Sequence, residues 1–191
     1  MRRWLSIAAS CLALGLNGAA AEPLVKRKVV RYDVAGTTAQ ELRAEMDRLG
    51  PIDQITKQRF DANTRWSIKW TYRYRNVGQD CAIARVAITV DITIIVPRLN
   101  PGSSAPAALA RTFDEYAEKL LAHEDGHAQN GIETGKRIEA AILGMQPHPT
   151  CDELSRAANA EGDRLIKEAN QADVEYDART QHGRTQGARF P

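Results

Sequence analysis

Beyond Ala21 this 191-residue chain has no long apolar run, and so no segment of the roughly 20 residues that a helix needs to cross a bilayer. Cysteine is scarce as well. Of three in all, Cys11 lies in the first 21 positions, which leaves Cys81 and Cys151, each standing alone rather than in the paired spacing of a thiolate metal site. Charge of one sign is also lacking. The formal net charge of +2 resides in Arg2 and Arg3, so residues 22–191 are balanced and nothing in the overall charge argues for nucleic acid as a partner. There is no internal repeat, no low-complexity tract and no composition shift that would mark a second domain. About 170 residues suffice for a single domain with its own core.

Histidine is sparse too, with four in the chain, yet two of them fall in the five residues His123, Glu124, Asp125, Gly126 and His127. On an α-helix, positions i and i+4 lie one above the other on one face. Both imidazoles then reach a single metal ion while the Glu beside the first acts on a bound water. The surrounding pattern supports a helix from Pro106 to about Met145. Leu109, Phe113, Tyr116 and Leu120 recur at helical spacing, and the same stripe continues onto His123 and His127, so both imidazoles face inward. The plainer alternative is a pair of core histidines satisfied by backbone carbonyls, which fits a lone His better than this spacing. Gly126 costs such a helix about 1 kcal/mol relative to Ala, tolerable if a substrate or strand must pass close to the backbone there; the alternative is simply a poor helix residue.

Met1 to Ala21 has the three parts of a secretory signal: Arg2 and Arg3, an apolar run from Trp4 to Leu16, and small residues before Glu22. A lipid attachment at Cys11 fits less well, because the apolar run preceding it is too short. The expected domains are therefore a signal peptide over 1–21 and one domain over 22–191, secreted to the periplasm. In that oxidising compartment Cys81 and Cys151 pair by elimination, closing a loop of about 70 residues worth roughly 4 kcal/mol in the chain-entropy model.

Val25 to Val34 reads as a first strand, basic at Lys26, Arg27, Lys28 and Arg31. Thr38 and Glu41 form a capping box that opens a helix ending near Leu49, before Gly50 and Pro51. Trp66, Ile68, Trp70, Tyr72 and Tyr74 then alternate with Ser67, Lys69, Thr71, Arg73 and Arg75. A second alternation runs from Val86 to Val96, and the two predict a long hairpin. Pro147 and Pro149 punctuate before a last helix from about Asp152 to Tyr176, followed by a basic tail without periodicity. The expected fold is α+β, a small antiparallel sheet packed on the long HExxH helix and a second C-terminal helix, in the layout of a minimal zincin.

At this point the chain resembles the family of predicted secreted zinc-dependent proteases, formerly described as a domain of unknown function. The resemblance rests on YDVAG near Tyr32, Gly50 and Pro51, Trp66 and Trp70, Cys81, the strand reaching Pro97, HEDGH, Cys151, and the terminal YDARTQHGRTQGARFP. It implies a zinc ion and peptide-bond hydrolysis.

A catalytic zinc takes three protein ligands and a water. The metzincin pattern fails, since Asn130 and Glu133 stand where it needs Gly and His. Glu133 would point away around the helix. His148 lies past a helix end about 27 Å along the axis from His127, at ~1.5 Å per residue. If the last helix returns antiparallel to the first, Glu168 to Asp177 pass opposite HEDGH and the chain leaving it brings His182 close. His182 is the expected third ligand, with Glu161, Glu168, Glu175 and Asp177 as the alternatives. Asp177 could instead accept a hydrogen bond from a ligand imidazole.

The expected function is a secreted zinc metallopeptidase, with Glu124 as general base and Tyr176, Arg179 or Arg184 as oxyanion stabiliser. Its partner is a peptide or protein substrate added along the sheet edge. Two alternatives are a zinc-dependent peptidoglycan amide hydrolase and a non-catalytic zincin relic that binds metal or a partner.

Overall fold

The computed structural model describes residues 22–53 and 57–191. The signal peptide expected over 1–21, and the lipid attachment weighed at Cys11, lie outside the described residues. Strand β1 (Leu24–Val34) leads into helix α1 (Ala39–Leu49), then β2 (Asn63–Val77), β3 (Asp80–Leu99), and the long helices α2 (Ala107–Leu143) and α3 (Cys151–Thr180). The capping box forms as the spacing predicts: Glu41 N donates to Thr38 Oγ1 at 3.2 Å, and Thr38 N to Glu41 Oε2 at 3.3 Å.

The hairpin follows from the two alternations. Trp66 lies across from Ile92, Ile68 from Val90, Trp70 from Ile88 and Tyr72 from Val86, which places both apolar rows on one face. That face carries α2 and α3, and the fold is α+β. Among the described residues no helix is long and apolar enough to cross a membrane.

The sheet is mixed rather than wholly antiparallel. Its order is β1-β3-β2, and β1 runs parallel to β3 from Leu24 opposite Thr89 to Val34 opposite Leu99. The chain goes up, down and up, and the third strand inserts between the first two, so it must run with the first. β3 takes the centre because its inner row is continuously apolar, whereas the charges of β1 suit an edge. Pro97 is accommodated because the ladder with β2 ends at Ile95, leaving β3 with one partner strand there.

Two glycines let the tryptophans of β2 sink into the helices. A Cβ at Gly131 would stand 2.7 Å from Trp66 Cγ, and one at Gly162 would stand 2.6 Å from the Trp70 ring. Cys81 and Cys151 are disulfide-bonded, with a Cα–Cα distance of 5.1 Å, and tie the start of β3 to the start of α3. Beside that bond His148 pairs backbone to backbone with Cys81, far along α2 from HEDGH.

The tail is not a loose appendage. Gln181, His182 and Gly183 all have positive φ and reverse the chain after α3. A 3-10 turn at Arg184–Gln186 follows, then Ala188 is buried and the Phe190 ring packs 5.4 Å from Phe113 and 5.3 Å from Tyr116. These contacts bury apolar surface that composition alone does not reveal, because Phe190 is the tail's one large apolar side chain.

Candidate metal centre

The stripe on α2 faces inward as its spacing predicts: Phe113, Tyr116, Leu120, His123 and His127 are buried, and so is Glu124. Helix α3 returns antiparallel, since His123 meets Asp177, His127 meets Asp173, and Asn130 Nδ2 donates to the Ala169 carbonyl. The junction assembles three ligand-type side chains. Asp177 Oδ1 lies 3.0 Å from His123 Nε2 and 3.1 Å from His127 Nε2, and the three ligating atoms fall within 4.8 Å of one another.

The opposite ring nitrogens are already engaged. His123 Nδ1 donates to Gln186 Oε1 and His127 Nδ1 to Asp173 Oδ1, each at 2.9 Å. Protonation at Nδ1 is the tautomer that a metal ion requires: once Nε2 gives up the proton it shares with Asp177, its lone pair is directed at the common point. Asp173 is itself fixed by Trp66 Nε1 at 2.8 Å and Asn130 Nδ2 at 2.9 Å. In a tetrahedral site with bonds of 2.0–2.1 Å, ligand atoms stand about 3.3 Å apart, close to the distances from Asp177 to each imidazole. Two imidazoles and a carboxylate therefore fit a divalent first-row cation. The donor set does not choose among such metals.

Electrostatics agree with this geometry. For Asp177, burial works upward, but hydrogen bonds from His123 and His127 outweigh it and hold the carboxyl well below the ordinary carboxylate range. For His127, burial works downward, and Asp173 and Asp177 overcome it, pushing the imidazole up to about 10. Burial raises the Glu124 carboxyl, opposed by hydrogen bonding from Thr64 and by the charges of His127 and His123. Thr64 Oγ1 also donates to the Glu124 backbone carbonyl at 3.1 Å, pinning this turn of α2 to β2.

His182 stands beside the group rather than in it. Its Nδ1 is 3.3 Å from Asp177 Oδ1, its ring lies 5.2 Å from that of Phe60, and its side chain is 58% exposed. The reason lies in the length of α3. The helix continues past Tyr176 to Thr180, so Asp177 stays one turn beyond Asp173 and faces α2, while the left-handed turn carries His182 outward. Three glutamates of α3 are engaged away from the group: Glu161 and Glu168 pair with Arg164, and Glu175 accepts from Gln171.

Tyr176 lies behind the imidazoles. Its ring stacks on His123 at 4.9 Å and 7°, and its hydroxyl accepts from Gln186 Nε2 at 3.0 Å. Gly126 makes room for it, since a Cβ there would meet the hydroxyl at 2.4 Å. Arg179 sits over the outer side of the Tyr176 ring, 5.7 Å from its centroid. A cavity of about 800 Å³ opens in front of the group, where His123, Glu124, His127 and Asp177 share the wall with Thr64, His182 and Arg184. Asp173, Gln186 and Thr64 are the supporting residues that sequence reasoning did not name. Asp173 carries one legible signal, its i, i+4 relation to Asp177; Gln186 lies within the terminal segment that carries the resemblance but nothing singles it out, and Thr64 carries none.

These features define an α+β domain with two buried histidines and a half-buried carboxylate at the meeting of two helices. Residues 29–183 match the family described as "Bacterial protein of unknown function (DUF922)", and the chain belongs to that family. No curated protein and no solved structure matches it.

Proposed function

We propose that this chain is a zinc-dependent metallopeptidase of the HExxH type, secreted to the periplasm and hydrolysing peptide bonds in peptide or protein substrates. The observation that carries this reading is the placement of Glu124. It is a buried carboxylate, adjacent in sequence to one imidazole of a metal-type group and lining the same cavity as all three members of that group. His123, His127 and Asp177 would hold the ion, which supplies Lewis acidity to a carbonyl and acidifies water at its open position. Glu124 takes a proton at its carboxylate and delivers it to the leaving amine nitrogen. Thr64 and the packing of α2 on β2 keep that carboxylate facing the cavity. His182 and Arg184, on the same wall, are the side chains available to the substrate carbonyl oxygen, whereas Tyr176 is turned behind the imidazoles. The Cys81–Cys151 bond suits a non-reducing compartment.

Metal analysis of the purified protein, paired with digestion of casein by wild type and Glu124→Gln, tests this. We expect about one zinc per chain in both and loss of hydrolysis by several orders of magnitude in the variant. No zinc taken up by wild type, or an undiminished rate in Glu124→Gln, overturns the proposal. Release of cell-wall fragments without casein cleavage would move the substrate to a peptidoglycan amide.

A further inference from the structure

The side of the sheet opposite α2 and α3 carries its own pattern. Its rows hold Lys26 and Lys28 from β1, Arg65, Lys69 and Arg73 from β2, and Arg85 from β3, with Asp91 as their one carboxylate. Strand spacing makes this stripe about 27 Å long and ~10 Å wide. Residues 22–191 are otherwise balanced, so charge is sorted by face: α3, on the opposite side, holds eight Asp or Glu against three Lys or Arg between Asp152 and Asp177.

Two details separate this face from an ordinary solvated one. Arg73 and Arg85 are directly opposed across the β2–β3 ladder, a like-charge pairing that destabilises a sheet unless something anionic lies over it. Asp91 is shared at most with Lys69, 3.9 Å away. Among the described residues, the side chains of Lys26, Lys28, Arg73 and Arg85 have no hydrogen-bonding or ionic partner within the chain.

We propose that this face docks on a membrane surface of anionic lipid headgroups. An open sheet without a groove offers a broad array of long cationic side chains, which matches a plane of charge rather than a threaded polymer. Leu24, 59% exposed, opens the edge strand in the same row as Lys26 and Lys28, which sets an apolar side chain beside the basic ones. The metal-type group belongs to the opposite layer and stays clear of the contact. This proposal is independent of what the group catalyses.

Cosedimentation of the protein, as cells process it, with vesicles of phosphatidylcholine alone or mixed with phosphatidylglycerol tests the idea. We expect binding to the mixed vesicles that weakens as salt rises, and a loss of at least about a hundredfold in Lys26→Glu/Lys28→Glu/Lys69→Glu/Arg73→Glu. Circular dichroism and metal uptake should match wild type in that variant. Should its fold fail, the neutral pair Lys28→Gln/Arg73→Gln is expected to weaken binding by about tenfold. Equal binding to neutral vesicles, undiminished binding in a folded variant, or capture by dextran sulfate with none by anionic vesicles overturns it.

Discussion

Asp173 accepts the Nδ1–H of His127 at 2.9 Å from the helical turn that directly precedes Asp177, whose Oδ1 faces Nε2 of the same imidazole at 3.1 Å. One ring is thus gripped on both nitrogens by carboxylates four residues apart on α3. The outer carboxylate orients the ring, and the inner one stands where a metal ion would be shared.

The division of labour between Asp177 and His182 is open to direct measurement. Asp177→Ala should lower metal affinity by several orders of magnitude, because it removes one corner of a three-atom group. His182→Ala should leave affinity within about tenfold, since that imidazole is exposed and stands outside the group. Chelator competition with each purified variant decides it, and a reversed order would return the third ligand to the tail.

Asp173→Asn is expected to cost about 10–100-fold in metal affinity. The amide can still accept from one partner, yet it loses the charge that favours the Nδ1-protonated imidazole, and Trp66 and Asn130 compete for its single oxygen. The near-ultraviolet signal of Trp66 should change as well. Unaltered affinity would reduce Asp173 to a packing residue.

In the metal-free protein the same pairing sets a pH dependence. His127, raised from an ordinary 6.5 to about 10, binds its proton more tightly folded than unfolded. Its contribution to stability is complete below about 6.5 and disappears as pH rises through ~10. Asp177 is shifted downward, so its share is present above the ordinary carboxylate value and lost as acid titrates the folded group. Urea melts of chelated protein should therefore show stability declining between neutral and strongly alkaline pH. Metal must displace the His127 proton, so uptake at neutral pH should release protons, measurable by calorimetry in buffers of different ionisation enthalpy. A flat alkaline limb with no proton release would contradict the pairing.

What the sequence made legible follows from how local each signal is. His123, Glu124 and His127 lie on one continuous stripe of α2, and Trp66 to Tyr72 alternate against Val86 to Ile92, so helix and hairpin are written in short-range periodicity. The parallel placement of β1 is not, because a strand edge carries no code for which neighbour it joins. The choice between Asp177 and His182 turned on where α3 stops. No breaker stands between Tyr176 and Thr180, and four further helical residues move the carboxylate in and the imidazole out. Gln186 reaches His123 only because Phe190 and Ala188 anchor the tail on α2, a contact between residues some 75 positions apart that no local pattern announces.

Gly126 links the motif to this packing and gives the sharpest steric test. Ala is the better helix former by about 1 kcal/mol, so a change at an open position of α2 would stabilise. Here the new methyl would stand 2.4 Å from the Tyr176 hydroxyl and 2.6 Å from its ring carbon, and the ring must move. Tyr176 cannot shift freely, because it is stacked on His123 and joined to Gln186. Gly126→Ala should therefore lower both thermal stability and metal affinity, while the double change Gly126→Ala/Tyr176→Leu recovers part of the stability by clearing the hydroxyl. Comparing melting temperature and chelator competition for the single and double variants checks this. A single variant more stable than wild type, with metal affinity intact, would mean that α2 and α3 do not close on Tyr176 in this way.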